Sequence, residues 1–222
     1  MEPWRVLLVK ALRQLAAAGL TKDLWTLGGG TAMMFTFRHR LSKDIDIFLP
    51  DRQYLGYLSP RLNDGVEADL NDYIEQERFV RLYFDEGEVD FIAAPRLTMF
   101  KPTLKTVGGH EIFVDHPVEI VTKKIIHRAD EFKTRDLFDL ALVYSRCPSE
   151  LLETATVLAP QLETLAARLD LLESTGQLGK NLSAIAAIDG GQDIRGRELS
   201  LVRECLTWLV GHRTKTESAM KN

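Results

Sequence analysis

Two aspartates stand where a buried strand would ordinarily place valine or isoleucine. In the segment SKDIDIFLP, residues 42–50, Asp44 and Asp46 alternate with Ile45 and Ile47. Successive strand side chains face opposite sides. Asp44 and Asp46 are therefore expected on one face, about 7 Å apart at the backbone, while Ile45 and Ile47 anchor the other face in a core. Two unpaired carboxylates repel each other, and burying them either raises their pKa values or costs stability. A divalent cation relieves both problems, and hard oxygen ligands on a strand suit Mg2+ (or Mn2+). Asp90, in EVDFIAA, occupies the same setting between Val89 and Phe91. Two strands are thus expected to gather three carboxylates, Asp44, Asp46 and Asp90, as metal ligands.

The residues just upstream supply a complementary half. Gly28, Gly29 and Gly30 lead from the short apolar run DLWTL into the helix-like TAMMFTFRHR. A glycine turn feeding a helix exposes backbone N–H groups at the positive end of the helix dipole, where a phosphate sits well. Thr31 is placed to cap that helix or to donate its hydroxyl to a phosphate. Arg38, His39, Arg40, Ser42 and Lys43 then put positive charge and a hydroxyl directly before the aspartates, with His39 meeting either phosphate or a nearby carboxylate. Phosphate cradle, basic cluster and metal carboxylates in this order are what phosphoryl or nucleotidyl transfer from an NTP requires.

The 222 residues, 45% of them hydrophobic and 27% charged, are ample for a core. No apolar run approaches the length of a membrane helix, and Lys10 and Arg13 interrupt the first apolar segment as no secretory leader would. With only Cys147 and Cys205, both in apolar surroundings, a cytoplasmic protein with reduced thiols and no membrane partner is expected. The net charge of −4 announces no polyanion, but its distribution is uneven. Residues 51–90 hold four Lys/Arg against eleven Asp/Glu, and residues 195–222 hold six against three.

Along the chain, Val6, Val9 and Leu12 share a face of a first helix that Gly19 stops. Strands are expected at DLWTLGG, SKDIDIFLP, RFVRLYF, EVDFIAAP and HEIFVDHP. Asp85-Glu86-Gly87 forms a hairpin turn, and residues 61–76 form an acidic helix. From Val118 the pattern is helical, so a mixed α/β half, residues 1–117, gives way to a helical half, residues 118–222. His110 and His116 lack a third ligand at metal spacing and read as surface residues. DGGQDIRGRE superficially looks like a phosphate loop, yet it follows a helix and reads as a linker.

GGGTAMMFTFRHRLSKDIDIF resembles the minimal nucleotidyltransferase domain of the AbiEii/AbiGii toxin family, within the DNA polymerase β-like superfamily. EIVTKKIIHRADEFKTRDLFDLALV, residues 119–143, is similar to that family's later signature, and together the resemblance covers roughly residues 20–145. It implies an α+β fold, a nucleotidyltransferase-type mixed sheet flanked by helices, followed by a helical C-terminal domain that completes the active site. It further implies an NTP-dependent transferase, and several such proteins are toxins of toxin–antitoxin or phage-defence systems. Some act on the 3′ end of tRNA. By this resemblance Asp44, Asp46, Asp90, Lys124 and Asp139 are catalytic, and Gly29, Gly30, Thr31, Arg40, Ser42, Lys124, Arg135 and Asp136 bind the NTP. A cognate antitoxin is the implied protein partner.

The residues read alone leave alternatives open. Arg135 offers a planar fork for phosphate or a salt bridge. Asp136 either meets the nucleotide or caps its own helix, and Lys124 is preferred over Lys123 on its spacing to Asp136 and Asp139. For an RNA acceptor, Arg38, Arg40, Lys133 and the 195–215 stretch, with Arg195, Arg197 and Arg203, are the expected contacts. The rival readings are an enzyme that nucleotidylates protein hydroxyls and a non-catalytic nucleotide-binding or interaction module.

Overall fold

A computed structural model describes residues 2–67 and 70–219. The chain divides into two compact units. The first comprises Met1–Thr36, Ser42–Arg96 and Lys101–His116, and the second Phe37–Leu41, Leu97–Phe100 and Pro117–Asn222.

The first unit is built on a seven-stranded mixed sheet. Its strands are β1 (Thr26–Gly28), β2 (Ile45–Leu49), β3 (Asp72–Glu75), β4 (Phe79–Phe84), β5 (Gly87–Ala93), β6 (Thr103–Val107) and β7 (His110–Val114). Their order is β3-β4-β5-β2-β1-β7-β6, with β2–β5 and β1–β7 parallel and the other pairs antiparallel. Alternation works as the sequence demands: Ile45, Ile47 and Leu49 are fully buried, and Asp46 and Phe48 between them are half-buried. Val89 and Phe91 play the same part in β5. Helix α1 (Pro3–Ala17) packs on β5 and β2. Its buried stripe is Leu7, Leu8, Ala11 and Leu15; the Val6, Val9 and Leu12 face is only half-buried. Helix α2 (Gly29–Phe37) follows β1 directly.

Two expectations fail here. Residues 61–76 are not one helix but a single turn, α3 (Asp64–Glu67), followed by the edge strand β3. The acidic residues of this stretch gain nothing from a helical face. Val66 is buried, whereas Leu62, four residues earlier and on the same face of such a helix, stays largely exposed. Strand β6 had no reading at all, because Thr103–Val107 is mostly exposed and lacks an apolar alternation. Its register against β7 is set by the Gly108-Gly109 turn, where both residues have positive φ (61° and 92°).

The second unit is helical, with α4 (Pro117–Arg128), α5 (Thr134–Arg146), α6 (Pro148–Leu152), α7 (Ala155–Leu158), α8 (Leu162–Ser174), α9 (Leu178–Ser183) and α10 (Glu198–Ala219). Helix α5 is its centre. Residues 136–143 are all buried, and α5 packs against α4, α9 and α10. Both segments that join this unit from elsewhere in the chain are tied into it. Glu119 accepts the N–H groups of Leu97 and Thr98 (3.0 and 2.9 Å), while residues 37–41 pair with residues 186–190. The stretch read as a linker is therefore ordered structure, a 3-10 turn at Asp189–Ile194 preceded by a β-bridge of Arg40 with Ala187. No helix among the described residues is long and apolar enough to cross a membrane.

Candidate active site

In the first unit the register brings carboxylates and glycine backbone together. Asp46 is directly opposite Asp90 across β2–β5 and opposite Gly28 across β1–β2. Gly29, the first residue of α2, has φ 63°, and a Cβ there would lie 1.8 Å from Asp46 Oδ2. Glycine is thus required twice over, for its conformation and for the space that the Asp46 carboxylate fills at the helix N-terminus. Asp44, just before β2, accepts the Glu88 N–H at 3.4 Å, which turns its carboxylate toward the start of β5. Gly30 is buried as the second residue of α2, and half-buried Ser42 directs its backbone N–H to Met34 Sδ (3.4 Å).

The sequence-derived roles need correction at two of these positions. Thr31 neither caps α2 nor presents its hydroxyl to a ligand. It is fully buried and donates to the Asp44 carbonyl (2.5 Å), fastening the glycine turn to the aspartate segment. Asp90 is already partnered. Arg81 on β4 grips it with two hydrogen bonds, 2.6 and 2.7 Å, and the Arg81 pKa rises, chiefly through that bonding. Among the described residues no three His, Cys, Asp or Glu side chains are placed to hold one metal ion. Mg2+ also accepts a narrower mode, one or two carboxylates completed by water and phosphate oxygens, and Asp44 and Asp46 offer hard oxygens of that kind.

The Arg81 partner was within reach of sequence reasoning. The two-residue turn Asp85-Glu86 pairs Phe84 with Gly87, and counting back three and forward three pairs Arg81 with Asp90. Asp115, a buried carboxylate whose Oδ2 would be 3.5 Å from a Cβ at Gly28, was also missed. It lies inside the expected strand HEIFVDHP, one residue past the end of β7 at Val114.

The second unit holds a buried ion-pair network around Asp139. This residue is fully buried and accepts from Arg40 Nε (2.7 Å), Arg40 Nη2 (2.8 Å), His39 Nε2 (2.8 Å) and Lys124 Nζ. Asp136, one helical turn earlier, accepts from Lys124 Nζ (2.9 Å), Arg128 Nη2 (2.6 Å) and the Lys133 backbone N–H (3.1 Å). It therefore closes the start of α5 as a cap. Burial pushes both carboxyls up, but the positive charges override it. Lys124 and Arg40 hold Asp139 well below the usual carboxylate range, and Lys124 and Arg128 hold Asp136 below it. His39 goes the other way: burial lowers its pKa despite the Asp139 hydrogen bond, so it is a neutral imidazole donating through Nε2.

Asp136 and Arg40, expected to bind the NTP, and Asp139, expected to be catalytic, are thus enclosed by protein partners. Lys124, the expected cleft lysine, is 8% exposed and carries two of those partners. Lys123 is also buried, 4% exposed, and pairs with Glu119 (3.4 Å). Arg135 is exposed on the first turn of α5. Arg128 was missed, although it lies four residues after Lys124 on the same helical face. Two of the expected RNA-contacting arginines are also committed. Arg195 donates to the Leu182 and Ile185 carbonyls (2.6 and 2.5 Å), and Arg203 pairs with Asp170 and Glu173.

Known structures resemble this arrangement at the level of the fold. A Helicobacter pylori chain whose crystal structure carries a provisional nucleotidyltransferase designation superposes with a TM-score of 0.51 at 18% identity, covering 96% of this chain and 95% of that one. The crystal structure of JHP933 from Helicobacter pylori gives a TM-score of 0.49 at 17% identity over 98% and 94% of the two chains. No curated protein matches the sequence significantly. The family is set by the sequence itself. Residues 10–184 match the model described as "Nucleotidyl transferase AbiEii toxin, Type IV TA system". A match spanning the glycine turn, the aspartate strand and the Lys124–Asp139 helices makes this chain a member of the AbiEii nucleotidyltransferase toxin family.

Proposed function

We propose that the chain moves a nucleoside monophosphate from an NTP to an RNA hydroxyl, with the 3′ end of tRNA as the favoured acceptor. The observation that carries this reading is the meeting of Asp46 with Gly29 at the N-terminus of α2, alongside Asp90. The acceptor oxygen attacks the α-phosphorus, the bond to the β-phosphate oxygen breaks, and pyrophosphate leaves. Asp90, held in orientation by Arg81, takes the acceptor proton. Asp44 and Asp46 would hold Mg2+, which when bound neutralises triphosphate charge and polarises the phosphoryl group. Backbone N–H groups at Gly29 and Gly30 receive phosphate oxygens. Lys124 supplies positive charge to the triphosphate, and Asp136 and Asp139 fix where that ammonium points. As a member of a type IV toxin family, the chain is proposed to act in the cytoplasm opposite a cognate antitoxin.

The acceptor is tested by incubating the protein with each α-labelled NTP and either total RNA or total protein. Label in RNA supports the proposal. Label in protein alone replaces it with protein nucleotidylation, and label in neither pool overturns transfer.

A further inference from the structure

The segment after α9 touches the basic motif more closely than a linker would. Leu41 N–H donates to Ala186 O, Ile188 N–H to His39 O, and Gly190 N–H to Arg38 O, each at 2.9 Å. Gly190 and Gly191 are needed for this closeness. A Cβ on Gly190 would lie 1.7 Å from Phe37 O, and one on Gly191 would lie 2.3 Å from His39 O and 3.0 Å from Phe138 Cζ. A second observation points to the same segment. Arg38, between α2 and His39, has φ 51°, a left-handed conformation that a residue with a side chain holds only when its surroundings enforce it. The Gly190 N–H on its carbonyl is one such restraint, and the exposed Arg38–Asp189 pair (3.5 Å) is another. Arg195 secures the other end of the segment through the Leu182 and Ile185 carbonyls, with its guanidinium 5.8 Å from the centre of the Phe138 ring. That ring also stacks on His39, at 6.0 Å.

We infer that residues 186–191 form a clasp that positions His39 and Arg40 on Asp139, and through Asp139 fixes the Lys124 ammonium within the second unit. Gly190 and Gly191 are its positioning residues. The inference rests on the proposed role of Lys124 at the triphosphate. Misdirecting a cation that binds the NTP equally in ground and transition states raises KM. A merely structural defect removes active molecules and lowers the maximal rate at unchanged KM.

The test combines amide hydrogen exchange with NTP kinetics on the full chain, comparing wild type with Gly191→Ala, Arg195→Ala and the control Gly179→Ala. A Cβ at Gly179 meets nothing within 4 Å. Gly191→Ala is expected to speed exchange at Leu41 and Ile188 tenfold or more, to leave β2 and β5 unchanged, and to raise the KM for NTP at least fivefold. Arg195→Ala, which inserts no atoms, is expected to do the same to a smaller degree and carries the test if Gly191→Ala does not fold. The control matches wild type. Unchanged exchange at Leu41 and Ile188 overturns the clasp, and faster exchange with unchanged KM overturns its positioning role. A wild-type chain that transfers no nucleotide refutes the proposed function instead, and the exchange comparison still decides whether the clasp exists.

Discussion

Replacing Asp139 with Asn keeps the shape of the side chain and removes the charge at the centre of the buried network. Asp139 now balances Arg40 through two hydrogen bonds and shares Lys124 with Asp136. Arg40 and Lys124 have side chains only 7% and 8% exposed, so neither gains water in exchange. The amide group also turns an N–H toward donors that offered only N–H. Breaking a buried pair by removing one partner costs about 3–5 kcal/mol, because the cation left behind is uncompensated. With a urea slope of about 2–3 kcal/mol per molar, the unfolding midpoint should fall by about 1–2 M. Asp130→Asn, on an exposed residue of the same region, should stay within about 0.5 kcal/mol of wild type. Urea unfolding followed by circular dichroism measures both. A midpoint for Asp139→Asn indistinguishable from that of Asp130→Asn would refute the network as a source of stability. The double variant Arg40→Met/Asp139→Leu, which removes both charges and leaves Lys124 with Asp136, should lose less than Asp139→Asn alone.

Further outcomes follow from the same geometry. Gly29→Ala places a methyl group in the space of the Asp46 carboxylate and in a φ of 63°, so transfer should fall by at least tenfold; Gly179→Ala, assayed alongside, should not change it. Lys124→Ala should raise the KM for NTP well above that of Lys123→Ala, whose partner is Glu119; equal values would show that Lys124 has no special place. Stability should rise with pH through the acid range, as read by thermal unfolding. Asp136 and Asp139 have depressed pKa values, so their contribution is complete above the ordinary carboxylate pKa of 3.8 and is lost as pH falls through their lower folded values. His39 is also depressed, from 6.5, so the neutral form that the fold requires is fully present in the unfolded chain only above that pH, and stability declines as pH drops below it. A melting temperature flat between pH 4 and 7 would contradict the His39 assignment, and one that does not fall below pH 4 would contradict that of the two aspartates.

What could be read from the sequence was what a local period or turn encodes. Ile45 and Ile47 bury, Asp46 does not, and the Asp85-Glu86 turn joins β4 to β5 because each depends on neighbours two to six residues away. The meeting of Asp46 with Asp90 followed from two strands of the same pattern, and the parallel register delivers it. The failures are long-range. Thr31 looked like a phosphate ligand until Asp44, 13 residues on, claimed its hydroxyl. Arg40 looked like a surface cation until Asp139, 99 residues on, enclosed it. The Gly190-Gly191 pair looked like slack chain, since nothing nearby shows that glycine is needed to admit the Phe37 and His39 carbonyls. A charge read from sequence tells what a residue can pair with, and burial decides whether a ligand or the protein itself takes the place.

Whether the Asp46 site transfers the α-phosphoryl end of an NTP decides the function of this chain. The direct measurement supplies wild type and Asp46→Asn with NTP labelled either at the α- or the γ-phosphate, together with total RNA, and follows label into RNA. Asp46 is half-buried beside Gly29, and its amide keeps the packing while losing the charge. Wild type is predicted to transfer α-label only, releasing γ-label as pyrophosphate, and Asp46→Asn to be slower by about a hundredfold or more at an unchanged melting temperature. Transfer of γ-label, or undiminished transfer by Asp46→Asn, would contradict the account.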